Sequence, residues 1–191
     1  YLVTTAICHY AKTVAHAALG DVAAAQREAR NFDSALERVP STRTLFNNTC
    51  VDILAVANAM LRGEIEYRRD NYDSAFDHLR DAVYLEDNLP YDEPWGWMQP
   101  ARHALGALLL EQDRVDEALV VYRADLGLDE TVIRARHHPE NVWSLHGFHE
   151  CLRRQGKTVE ADMIEPRLKL ALARADVPIK SSCFCRRGRA A

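Results

Sequence analysis

The 191-residue chain is predicted to be all-α and built from helix pairs, and three observations predict it. Apolar residues recur at helical spacing through most of its length. Four segments share one frame, an apolar helix, a short polar turn and a second helix. A small residue holds the same place in each second helix: Ala25, Ala75, Ala118 and Ala161. Self-similarity of this kind marks a repeat array, in which no unit buries its apolar face alone.

In chain order the frames are "HYAKTVAHAALGDVAAAQREARNF", "AMLRGEIEYRRDNYDSAFDHLRDAV", "RHALGALLLEQDRVDEALVVYRADL" and "LHGFHECLRRQGKTVEADMIEPRL". Five residues ahead of the aligned alanines stand Gly20, Asp70, Asp113 and Gly156, which suit a helix end and a tight turn. Four residues after them stand Ala29, Leu79, Tyr122 and Glu165. The physical reading is antiparallel pairs in which a small residue admits the second helix and a bulky one fills the space a turn later. Successive frames are 50, 43 and 43 residues apart, so long connections separate them. "SALERVPSTRTLFNNTCV", residues 86–100 and "GLDETVIRARHHPEN" are rich in proline, asparagine or acids and read as loops or short irregular helices. The array occupies residues 1–175. Residues 176–191, "DVPIKSSCFCRRGRAA", lose the periodicity and form a tail.

These positions resemble the tetratricopeptide repeat. "ALGALLLEQDRVDEALVVYRADL" matches through Leu105, Gly106, Ala118 and Tyr122, and the second frame through Gly63, Tyr72, Ala75 and Ala82. In the outer frames Thr13 and His149 replace the first-helix glycine, and Pro166 interrupts the last helix. The spacing also exceeds the family's usual repeat of about 34 residues. The resemblance covers roughly residues 6 to 170 and implies a right-handed superhelical solenoid whose first helices line a concave face. Carried onto this chain, the lining positions are Tyr10, Met60, His103 and His146; Val14, Glu64, Ala107 and Glu150; Ala17, Tyr67, Leu110 and Arg153. Capture of a protein or peptide partner is the function it implies, with Tyr67, the histidines and Arg153 for hydrogen bonds and Trp143 for apolar contact. "EPWGWMQPARHALGALLLEQ" also looks like a subgroup of such proteins in microbial genomes, and no activity transfers with it.

A formal charge of −4 gives no footprint for nucleic acid outside the basic tail. No apolar run is long enough for a membrane span, and no secretory leader is visible. The expectation is a soluble, cytoplasmic protein. The helical start without methionine reads as part of a longer chain, of which this is the C-terminal portion. Five cysteines at irregular spacing argue for reduced thiols. Phosphate loops, nucleophile elbows, dinucleotide fingerprints and HExxH sites are missing, so an enzyme is the minority reading.

Metal binding is the alternative to peptide capture. His103 and His146 share a ridge in neighbouring repeats, Glu150 lies one turn beyond His146, and Cys183 and Cys185 sit on a tail able to fold back as a lid. Imidazole and carboxylate suit zinc, iron or copper, and thiolates suit zinc or copper(I). His137 and His138 precede Pro139 and read as turn formers, and "RVDEALVVYRADLGLDE" reads as ordinary surface patterning. Trp95 and Trp97, stiffened by Pro90, Pro94 and Pro100, either cap the core or stand at the groove mouth as a contact surface.

Overall fold

A computed structural model describes residues 1–186. Four helix pairs account for most of it: α1 (Leu2–Ala18) with α2 (Val22–Leu36), α3 (Cys50–Arg68) with α4 (Tyr72–Asp87), α5 (Ala101–Glu111) with α6 (Val115–Asp125), and α7 (Val142–Arg154) with α8 (Thr158–Arg174). Apart from one short hairpin, the regular structure of the described residues is helical, and the helices pack in pairs. Among the described residues, no helix is long and apolar enough to cross a membrane.

Each pair is joined by three residues, and the four joints have one conformation. Gly20, Asp70, Asp113 and Gly156, the predicted turn residues, take φ of 86, 62, 62 and 70°. The amide of each donates to the carbonyl three residues back, and the next amide to the carbonyl five back, as in Gly20 to Ala17 with Asp21 to His16, and Gly156 to Arg153 with Lys157 to Leu152. This double bond is the Schellman closure, which satisfies carbonyls that a helix end leaves open. The following residue, Asp21, Asn71, Arg114 or Lys157, caps the second helix, and its carbonyl accepts from Ala25, Ala75, Ala118 or Ala161. Those alanines are all fully buried, because the reversal presses the start of the second helix against the end of the first.

One turn on, glycines make room for the bulky partner. A Cβ on Gly63 would lie 2.7 Å from Leu79 Cγ, and one on Gly106 would lie 2.5 Å from Tyr122 Cζ. Tyr122 uses a second gap as well, since a Cβ on Gly147 of α7 would stand 2.2 Å from the same atom. In the first pair Thr13 takes the glycine's place, fully buried, its hydroxyl donating to the His9 carbonyl at 2.8 Å. In the fourth, His149 sits half-buried and accepts from Arg153 Nε at 3.4 Å.

The chain divides between Ala101 and Arg102 into two compact units of two pairs each. In the first, α3 packs on α1, α2 and α4 and buries residues on most of its circumference, from Cys50 to Tyr67. The connection predicted as loop or irregular helix contains a small antiparallel hairpin, β1 (Thr44–Leu45) and β2 (Asn48–Thr49). Phe46 at φ 50° makes its turn, and β2 runs directly into α3, whose first turn Thr49 caps through the Asp52 amide. In the second unit α7 packs on α6 and α8, and a short 3-10 turn, Arg134–Arg136, interrupts the connection between α6 and α7. Pro166 lies inside α8 without ending it.

Candidate functional site

The face of the first unit that sequence reasoning assigned to a ligand is filled by the chain itself. Tyr10, Glu64, Tyr67 and Trp97 are only 9, 5, 4 and 7% exposed. Trp97, from the connection before α5, donates its indole N–H to Met60 Sδ at 3.1 Å and meets the Tyr10 ring edge-on at 5.3 Å. The Tyr10 hydroxyl donates to Gln99 Oε1 at 3.0 Å; burial, with the Glu64 charge, pushes its pKa well above the ordinary tyrosine value, so it stays a donor. Glu64 pairs with Arg68 at 2.8 Å, and Tyr67 packs edge-on against Tyr72 and Phe76. The connection is held by Asp92, whose Oδ2 accepts from the Asn47 amide and from the side chain of the fully buried Asn48. Gly96 is needed there, since a Cβ would lie 2.9 Å from Asn48 Cγ. These four residues are therefore core, not groove lining. Of the two connecting tryptophans, Trp97 caps the core and Trp95 is 38% exposed.

In the second unit the chain covers the predicted face with its own tail. Tyr122 threads between Gly106 and Gly147, and its hydroxyl meets Ser182 Oγ. Phe184 stands edge-on to Trp143 at 5.0 Å, and Arg186 donates to Glu150 Oε2 at 2.6 Å. Ser182 is fully buried and Cys183 nearly so. Trp143, His146 and Glu150, three, four and seven residues apart, share one face of α7. His146 is half-buried; burial lowers its pKa, Glu150 opposes this, and Arg186 and His149 reinforce it. Among the described residues its buried Nδ1 has no hydrogen-bond partner. Arg153 points away from this contact into pairs with Asp162 and Glu165 of α8.

The metal set expected from sequence, His103, His146, Glu150, Cys183 and Cys185, is not gathered as one cluster. Cys183 and Cys185 are joined to each other as a disulfide, which takes up both sulfurs; the expectation of reduced thiols stands only for Cys8, Cys50 and Cys151. Beside Glu150 stands the Arg186 guanidinium, a cation where a metal would need to be. His103 belongs to a different group. Its Nε2 lies 3.1 Å from Asp125 Oδ2, while His138 Nδ1 lies 2.8 Å from Asp125 Oδ1. Asn141 Nδ2 and Ser144 Oγ also donate to Oδ2, at 2.9 and 2.6 Å, and the His138 amide donates to the Asp125 carbonyl.

Asp125 is 1% exposed. Burial opposes its ionisation, but the hydrogen bonds from His103 and His138 outweigh burial and hold its carboxyl well below the ordinary range. Sequence reasoning placed Asp125 on a solvated surface and His138 in a turn. The signal that finds Asp125 is its phase: it lies three residues after Tyr122 and seven after Ala118, on the buried side of α6. Compared with protein-family models, curated proteins and solved structures, the chain matches none.

Proposed function

We propose that the chain is a helical-repeat recognition module, of the tetratricopeptide kind, that binds a turn-forming peptide along α7 of its second unit. One observation carries this reading: residues 182–186 already lie on that helix as a peptide would. Three side chains make the contacts, Ser182 on the Tyr122 hydroxyl, Phe184 on the Trp143 ring and Arg186 on the Glu150 carboxylate. The spacing agrees. Trp143 and Glu150 are separated by about 10 Å of helix rise, and the tail meets both from a turn, in which the Arg186 amide donates to the Cys183 carbonyl at 3.3 Å, with the length of the arginine side chain covering the distance to Glu150.

The repeated joints support the scaffold half of the proposal. Four pairs closed by the same turn are the repeating unit that such a scaffold needs, and the right-handed superhelix belongs to this reading. The partner class follows from the occupant: a turn-forming segment with a small polar residue, an aromatic and an arginine two residues on. The Tyr10 and Met60 positions of the first unit are left out of it, because Gln99 and Trp97 already contact them.

A tethered tail acts at an effective concentration on the order of millimolar, so even a weak intrinsic affinity keeps it seated, and a competing peptide must displace it. The test uses the full chain with Phe184→Ala and Arg186→Ala to loosen the tail, and a labelled, oxidised peptide of residues 179–191. Anisotropy is expected to rise with peptide for this variant and to require at least about 5-fold more peptide for the wild type. A folded variant that leaves anisotropy flat up to millimolar concentration contradicts the reading.

A further inference from the structure

We infer that His103, Asp125 and His138 form a site for a divalent first-row metal ion of the zinc and iron(II) class. The three come from the first turn of α5, the last residue of α6 and the connection ahead of α7, and their ligand atoms lie within 4.8 Å of one another. Two imidazoles and a carboxylate are a donor set that such ions favour. The set differs from the one the sequence suggested, and the absence of sulfur from it removes the argument for copper(I).

The arrangement around the carboxylate is the observation that a packing role leaves over. A buried carboxylate needs donors, and Ser144 and Asn141 already supply two to Oδ2. Two imidazoles are added to these, aimed at different oxygens. Among the described residues Oδ1 takes one hydrogen bond, from His138, which makes it the oxygen with capacity for a further partner. Ser144, Asn141 and the His138 amide then act as the outer partners that fix a metal-binding carboxylate and its neighbouring ligand in place.

In the ion-free state each imidazole presents an N–H to the carboxylate. On binding, the single proton of each neutral ring moves, by exchange with solvent, from the nitrogen facing the carboxylate to the opposite one, which frees the lone pair for the ion; the ion replaces two N–H donors, no net proton is released and no covalent bond to carbon changes. The side chains of Asp125 and His138 are 0 and 10% exposed, so their small freedom of movement favours a fixed coordination number over an adaptable one. The site is independent of the α7 peptide contact, and either can fail without the other.

The test uses the full untagged chain, treated with a chelator and titrated with Co2+ while visible d–d absorption is followed, then back-titrated with Zn2+. One equivalent of Co2+ is expected to develop the band and Zn2+ to abolish it. His103→Asn and His138→Gln should each weaken Co2+ binding by on the order of 100-fold or more, and Ser144→Ala, which leaves all three ligands, by ~10–100-fold. No band at millimolar Co2+, or an unchanged band in the folded double variant His103→Asn/His138→Gln, overturns the inference. Should the variants fail to fold, X-ray absorption of the Co2+-loaded wild type decides. Two imidazoles with oxygen support the site, and sulfur or oxygen alone overturns it.

Discussion

Single glycines separate two kinds of constraint in this chain. At Gly156, φ is 70° and nothing lies within 4 Å of an added Cβ, so Gly156→Ala meets backbone strain alone. The expected cost is about 1–2 kcal/mol, recovered in part by Gly156→Asn, as urea unfolding would show. At Gly147 the backbone is ordinary and the obstacle is the Tyr122 ring at 2.2 Å. Gly147→Ala should cost ~1–3 kcal/mol, and Tyr122→Leu in the same chain should make the second substitution nearly free, a coupling that two independent sites would not show. Thiol chemistry gives a third residue-level check. Burial pushes the Cys151 thiol up to about 12, so at pH 8 only about one part in ten thousand is thiolate. Iodoacetamide should therefore label exposed Cys8 first and leave Cys151 unmodified until the chain is unfolded; equal labelling of both in the native state would contradict this placement.

At the scale of elements, the connections decide more than their composition suggests. Trp97 seals Tyr10 and Met60, and Trp97→Ala is expected to cost ~3–5 kcal/mol, whereas Trp95→Ala at the exposed neighbour should stay within ~1 kcal/mol by thermal unfolding. Asp125 ties α5, α6 and the connection to α7 together, so Asp125→Ala strands four donors at once and should cost ~3–5 kcal/mol, against under ~1.5 kcal/mol for the exposed Asp116→Ala. The helix pairs were legible in the sequence because their determinants are local: a left-handed turn residue, a small residue five positions on, and an apolar period between. The Asp125 group was not, because its members are 22 and 13 residues apart and each reads as ordinary by itself. The filling of the first unit was hidden for a related reason. A lining position inferred from helix geometry says which way a side chain faces, and not whether a distant tryptophan is already there.

At the scale of the whole molecule, the proposed peptide face lies in the second unit, where residues 182–186 contact Tyr122, Trp143 and Glu150. Its charge contact offers the most direct test. In the full chain with a loosened tail, Glu150→Arg should weaken binding of the 179–191 peptide by about tenfold, which corresponds to about 1.4 kcal/mol. Arg186→Glu in the labelled peptide should weaken its binding to the unaltered Glu150 by a similar factor. Measured by anisotropy, the two reversals together are predicted to restore affinity to within about 3-fold of the original pair, since opposite charges again face each other. If the doubly reversed pair binds as weakly as the product of the two single losses, Glu150 and Arg186 do not meet in the complex, and α7 is not where the peptide lies.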